Sequence, residues 1–241
     1  MTKALVTSDW HGDHVTRGLS RFEDVRNAAQ ETVTAAIVQK CDQYFFLGDL
    51  ADPDVNPYVV PRCVRMLIGM AMELEEAGIE FIAIPGNHDG IDDGSGTSTL
   101  YPLDAFGGQI TLFDNPSIST MDNGWTLLAL PYTPLSHTYD PAEYVKKTED
   151  DLPLLVLSHL GVDGIQPGEE TKDMPRGRDV LLPLELLKQR TGPTLILQGH
   201  YHARRVTPEG LAGKDVIIPG SLVSLTFGEE KNEPGYLIVE Y

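Results

Sequence analysis

Five times along this 241-residue chain a short apolar run ends in a cluster of groups that can bind metal ions. Ala4-Leu5-Val6 leads to Asp9-x-His11, and Tyr44-Phe45-Phe46-Leu47 leads to Gly48-Asp49. Phe81-Ile82-Ala83-Ile84 is followed by Gly86-Asn87-His88-Asp89. Leu154-Leu155-Val156-Leu157 runs through Ser158 to His159, and Thr194-Leu195-Ile196-Leu197 runs to Gly199-His200-Tyr201-His202. Runs this short and apolar read as buried strands, and a sheet that aligns their carboxyl ends gathers the clusters at one edge. Five of the seven histidines lie inside them. A single Asp-x-His arises by chance, and a lone histidine after a strand is more often structural. The co-occurrence of all five clusters is what constrains the chain. Together they offer one aspartate and several imidazoles to each of two neighbouring divalent cations, with Asp49 able to bridge.

Between the runs the periodicity changes. Phe22, Val25, Ala29, Val33 and Ile37 recur at three- and four-residue steps, which predicts a helix over Arg21–Lys40. Asn56-Pro57 reads as cap and first turn of a second helix carrying Val64, Leu67, Ile68, Met70 and Leu74, ended by Gly78. The first third is therefore β-α-β-α-β. Further on, Asp122-Asn123-Gly124 between Ser117–Met121 and Trp125–Leu130 is a hairpin signal. Short helices are expected over Pro141–Asp150 and Leu184–Arg190, and Gly161–Asp179 reads as a long functional or mobile loop. Arg204–Thr207, Val216–Ile218, Leu222–Phe227 and Tyr236–Val239 read as strands of a second sheet. The expectation is one domain over residues 1–241, two sheets face to face with helices outside.

Glycines 48, 86 and 199 let the backbone turn sharply beside the cations. Asp9 and His11, two apart in an extended segment, would share a face, and His200 and His202 would repeat that geometry. Mixed carboxylate, imidazole and amide ligands without thiolate favour Mn²⁺, with Fe²⁺, Zn²⁺ or Mg²⁺ as alternatives, over a structural zinc site. Cys41 and Cys63 show no metal or redox spacing and read as buried thiols. No apolar stretch approaches the ~20 residues of a membrane helix, and no signal-peptide pattern opens the chain. A cytoplasmic protein that does not engage the membrane is expected.

With these five clusters in this order, the chain resembles the calcineurin-like metallophosphoesterases from about residue 4 to its last strand. The resemblance implies an α/β fold built as a four-layer α/β/β/α sandwich of two mixed sheets flanked by helices. It places Asp9, His11, Asp49 and His202 on a first cation and Asp49, Asn87, His159 and His200 on a second. Attack by a metal-bound hydroxide on a phosphoester would follow. His88 would face the leaving oxygen as general acid or transition-state stabiliser, oriented by Asp52 or a neighbouring carboxylate such as Asp89. His14, Arg17, Arg204 and Arg205 are candidates for gripping a substrate phosphate, with solvated charge as the plainer reading of the arginines. His137 is a weaker functional candidate.

Protein phosphatases of this superfamily carry Gly-Asp-x-x-Asp-Arg-Gly, whereas here Gly48-Asp49-Leu50-Ala51-Asp52-Pro53 lacks the phosphate-gripping arginine. Ser8-Asp9-Trp10-His11, Pro219-Gly220-Ser221, Phe227-Gly228-Glu229 and Gly235-Tyr236-Leu237 instead resemble the nuclease subunit of SbcCD-type DNA repair complexes. That implies a phosphodiesterase acting as a DNA exo- or endonuclease, with an SbcC-like ATPase as a partner. The DNA-capping domain and ATPase-gripping segment of that family are not matched here. A net charge of −18 counts against DNA, because nucleic-acid binding draws its affinity from basic groups. A small-molecule or nucleotide phosphodiesterase or phosphatase is the alternative enzyme, and a non-catalytic binding scaffold the alternative class.

Overall fold

The computed structural model describes residues 1–52, 56–91, 95–133, 138–163, 180–207 and 215–241. His137 and most of the Gly161–Asp179 loop lie outside the described residues. Two mixed sheets dominate. The first is ordered β13 (Leu237–Glu240), β1 (Lys3–Thr7), β4 (Gln43–Phe46), β5 (Glu80–Ala83), β6 (Ile110–Leu112), with β13 antiparallel and the rest parallel. The second runs β11 (Arg205–Thr207), β12 (Asp215–Ile218), β10 (Thr194–Gln198), β9 (Leu154–Ser158), β8 (Thr126–Leu130), β7 (Ser117–Thr120). Its four central strands are parallel and its two edges antiparallel. Val15–Thr16 and Leu19–Ser20 (β2 and β3) form a small separate hairpin.

The apolar runs are near-continuous because each strand is covered on both faces. Side chains alternate across the pleat. Ala4 and Val6, Phe45 and Leu47, Leu155 and Leu157, and Leu195 and Leu197 meet between the sheets. Leu5, Tyr44 and Phe46 point the other way, onto the helices α1 (Phe22–Val38) and α2 (Val60–Glu76). On the far side Leu154, Val156 and Ile196 pack against α3 (Pro141–Val145) and α4 (Leu184–Gln189) through Val145, Leu184 and Leu187. The result is helix, sheet, sheet, helix: the four-layer α/β sandwich.

Three expectations are corrected. Helix α2 begins at Val60 rather than at Asn56-Pro57, with Pro61 in its first turn, where a missing N–H costs nothing. Val59 N instead donates to Asn56 O at 3.0 Å, closing a preceding turn. The last strand joins the first sheet, pairing Val6 with Leu237 and Lys3 with Glu240, and not the second. Leu222–Phe227 forms no strand. Its backbone groups are satisfied elsewhere: Leu225 N by the Glu229 carboxylate at 2.7 Å, Leu225 O by Thr16 Oγ1 at 2.6 Å, Ser224 O by Arg21 at 2.9 Å. Among the described residues no helix is long and apolar enough to cross a membrane.

Candidate metal centre

All five clusters sit at carboxyl ends of parallel strands, three from the first sheet (β1, β4, β5) and two from the second (β9, β10). The site therefore lies where the two sheets meet at one edge. Its loops are stitched to each other. Asp9 N, Trp10 N, His11 N and Gly12 N donate in turn to carbonyls of Gly48, Asp49, Asp49 and Leu50 at 2.8–3.0 Å. Buried Asp89 then accepts the N–H groups of Asp49 at 2.7 Å and of Leu50 and Gly86 at 2.9 Å, tying the second loop to the third.

Asp9 and His11 are not extended, contrary to the sequence expectation. Their φ values are 54° and 43°, and Asp49 (59°) and His200 (75°) also occupy the left-handed region. Non-glycine residues held there cost about 1–3 kcal/mol each and cluster at functional sites. Trp10 explains how the pair still reaches one place. It drops fully buried against Phe46, with its Nε1 donating to Thr7 Oγ1 at 2.9 Å, so its neighbours turn the opposite way. Glycine is required beside them. Gly48 takes φ +94°, and a methyl on Gly86 would sit 2.6 Å from His159 Cε1 and 2.7 Å from Asp49 N.

The ligand atoms of Asp9, His11 and His202 lie within 4.8 Å of one another, and so do those of Asp9, Asp49 and His159. His11 Nε2 and His202 Nε2 approach to 3.1 Å. Asp49 Oδ2 stands 3.2 Å from His159 Nε2 and 3.7 Å from His11 Nε2, so it faces both groups. Asn87 Oδ1 meets His200 Nδ1 at 2.9 Å. His159 Nδ1 donates to the Leu47 carbonyl, which leaves Nε2 to face the carboxylates. Thus Asp9, His11, Asp49, Asn87, His159, His200 and His202 all converge. Two divalent cations fit this donor set on a physical test: both carboxylate oxygens of Asp9 are buried without a hydrogen-bond partner among the described residues. Buried polar atoms are rarely left so.

Burial dominates the electrostatics. It lifts the Asp9 carboxyl to about 6, against the pull of His159. It drives His11 well below the usual imidazole range and His200 to about 3, leaving both neutral and fit to ligate. Burial also opposes protonation of His159 and His88, but the Asp49 charge and carboxylate hydrogen bonds outweigh it and raise each to about 9. In the cation-free chain the protonated His159 is the counter-charge of Asp49, and a cation would have to displace that proton to be ligated there. Saturating Mn²⁺ is expected to raise the thermal midpoint of the cation-free chain. At 100-fold excess over Kd each site contributes about 2.7 kcal/mol, or roughly 5–11 °C at about 2–4 °C per kcal/mol. Thermal unfolding with Mn²⁺, then with EDTA, measures it; equal midpoints would remove the metal centre.

His88 Nδ1 lies 2.7 Å from Asp52 Oδ2, and the His88 N–H donates to Asp49 Oδ1 at 2.9 Å. A cleft of about 190 Å³ opens beside the cluster, lined by His11, Asp13, His14, Asp52, His88 and His202 together with Leu225, Thr226 and Glu229. Arg17 does not line it; its guanidinium stacks 4.5 Å over the ring of Phe227. Arg204 donates to the carbonyls of Pro219 (3.2 Å) and Tyr236 (3.4 Å), and Arg205 opens β11. Sequence reasoning gives no role to Glu229, whose Oε1 lies 3.0 Å from His202 Nδ1. Nor does it give one to Asp13, whose Oδ1 accepts Asp52 N at 3.1 Å. The one signal for Glu229 in the sequence is the Phe227-Gly228-Glu229 resemblance, which gives the glutamate no partner, and no periodicity links it to a histidine 27 residues earlier.

The chain belongs to the calcineurin-like phosphoesterases: residues 2–204 match the family described as Calcineurin-like phosphoesterase. Membership implies a metal-dependent phosphoesterase. Among solved structures, the protein TT1561 of Thermus thermophilus is similar at 15% identity and TM-score 0.57, covering 91% of this chain and 89% of that one. A dimetal phosphatase from Danio rerio matches at 11% identity and TM-score 0.57, covering 98% and 91%. A purple acid phosphatase from yellow lupin matches at 14% identity and TM-score 0.53, covering 85% of this chain and 38% of that one. At these identities the likeness is one of fold.

Proposed function

We propose that residues 1–241 form one catalytic domain, a two-cation phosphodiesterase whose best substrate is DNA. The observation that carries the reading is the pair of unpartnered, buried Asp9 oxygens between the imidazoles of His11 and His202 and the Asp49–His159 pair. Asp9, His11, Asp49 and His202 would hold one cation and Asp49, Asn87, His159 and His200 the other, Mn²⁺ being the metal of choice for these donors. Two such cations supply a water of lowered pKa and neutralise charge on the phosphoryl oxygens. The chain's own groups do the rest. His88, with Nδ1 engaged by Asp52, has Nε2 left to donate to the leaving oxygen, and its raised pKa keeps the proton available. Asp49 fixes the His88 backbone while it faces His11 and His159, so the proton donor and the ligands share one anchor.

A diester is favoured over a monoester by what lines the cleft. Asp13, Asp52 and Glu229 border it, and among the described residues no lysine or arginine does. A monoester dianion would meet carboxylates without a compensating guanidinium, whereas a diester brings a single negative charge. His14 also lines the cleft, and although burial lowers its pKa, its neutral ring can still offer an N–H to a phosphoryl oxygen. The DNA reading brings with it a coiled-coil ATPase partner and a cytoplasmic setting, where the buried thiols Cys41 and Cys63 would stay reduced. The net charge of −18 favours a second reading, a phosphodiesterase for nucleotides or other small diesters.

Bis-(p-nitrophenyl) phosphate with Mn²⁺ should release nitrophenol, and EDTA should abolish release; no release with Mn²⁺ would leave a binding scaffold. Labelled single- and double-stranded DNA at low salt, where electrostatic attraction is strongest, then separates the two enzymes. Degradation supports the nuclease. Intact DNA beside rapid hydrolysis of the small diester would sink it.

A further inference from the structure

Two carboxylates near the cluster contact histidines without being counted among the ligands: Asp52 on His88, and Glu229 on His202. Glu229 is the more deeply buried, at 2% exposure, and comes from a 3-10 turn (Phe227–Glu229) remote from the five clusters. Its two oxygens are separately employed. Oε1 lies 3.0 Å from His202 Nδ1, and Oε2 accepts Leu225 N–H at 2.7 Å. Leu225 O in turn accepts from Thr16 Oγ1, so the carboxylate is clamped by a turn that is itself held to the β2–β3 hairpin. A carboxylate in this place accepts hydrogen bonds and offers none, so the proton must sit on His202 Nδ1. The lone pair is then left on Nε2, the atom 3.1 Å from His11 Nε2 and 3.9 Å from Asp9 Oδ1.

We infer that Glu229 is a positioning residue for the cation held by Asp9, His11 and His202: it fixes the tautomer and ring orientation of His202 so that Nε2 is the ligand atom. This rests on the two-cation reading above. It also separates the two cations, because Glu229 contacts no member of the Asn87–His159–His200 group in the hydrogen bonds and ion pairs among the described residues. Outer partners of ligating imidazoles change metal affinity by about 10–100-fold when removed.

The decisive variant is Glu229→Gln, which keeps the size of the side chain. The Leu225 N–H cannot give up its proton and keeps the single carbonyl, so the NH₂ faces His202 Nδ1 and is satisfied only when the imidazole moves its proton to Nε2. Calorimetric titration of the cation-free protein with Mn²⁺ should show two sites in the wild type. In E229Q one site should weaken by about 10–100-fold while the other is unchanged. Nitrogen-15 imidazole spectra of the cation-free protein should show His202 leaving the Nδ1–H tautomer, a signature that loosened packing does not produce. Turnover of bis-(p-nitrophenyl) phosphate should fall at limiting Mn²⁺ and recover at saturation. Wild-type affinity at both sites with the tautomer kept, even with a lowered thermal midpoint, would overturn the inference and leave the two-cation reading standing. A wild-type chain that takes up no Mn²⁺ would overturn both.

Discussion

Replacing His88 with alanine is expected to lower turnover of a diester by ~10²–10⁴-fold while the protein keeps its full complement of cations. The geometry separates these two readouts. His88 contributes its backbone N–H to Asp49 Oδ1, and alanine keeps that bond at 2.9 Å. The side chain reaches instead to Asp52, and its ring stands edge-on to His11 with centroids 5.0 Å apart, so in the hydrogen bonds among the described residues no proposed ligand depends on it. What disappears is a protonated group at the cleft wall. Metal analysis of the purified variant beside its kcat on bis-(p-nitrophenyl) phosphate makes the test. Loss of cations would turn His88 into a ligand, and unchanged kcat would take it out of the chemistry.

The sandwich was legible because its strands are buried on both faces. Ala4-Leu5-Val6, Tyr44-Phe45-Phe46-Leu47 and Leu154-Leu155-Val156-Leu157 have no polar face to hide, and only a sheet covered on both sides can use them. Elements whose stability comes from elsewhere were not legible. Ile110–Leu112 is a three-residue edge strand with too few side chains to show a period. The Leu222–Phe227 stretch has strand-like composition, but Glu229, four residues on, claims one of its N–H groups, and Thr16 and Arg21 claim two carbonyls through long-range bonds that no local pattern encodes. The placing of Leu237–Glu240 turned on the free edge of β1, which sequence order does not reveal.

For the site, the gathering of these residues was readable and their conformation was not. The seven proposed ligands occur as short clusters after strands, so their convergence follows from a parallel sheet. The left-handed turns at Asp9, His11, Asp49 and His200 follow from contacts between loops, seen only once Asp9–Gly12 lies along Gly48–Leu50. The same holds for the carboxylates behind the site, since the partners of Asp89 include residues 39 and 40 positions away.

Asp89 is where that long-range architecture can be tested hardest. Replacing it with alanine strands three buried N–H donors, on Asp49, Leu50 and Gly86, in a place where its own exposure is nil. Each unsatisfied buried donor costs about 1–3 kcal/mol, so the variant should lose at least about 3 kcal/mol. At about 2–4 °C per kcal/mol that lowers the thermal midpoint by roughly 6–12 °C. Asparagine should fall between the two. Oδ2 serves Asp49 and Gly86 while Oδ1 serves Leu50, so one amide oxygen can satisfy at most one of those arrangements, and its NH₂ must face an N–H. Cation binding should weaken in step with the midpoint, because the donors released are those that fix Asp49 and the turn before Asn87. Denaturation of the wild type, D89N and D89A with EDTA present isolates the structural cost, and Mn²⁺ titration of the same proteins reads the second effect. A D89A protein that melts within a degree of the wild type would mean that water replaces the carboxylate at no cost, and that the loops hold their left-handed turns without it.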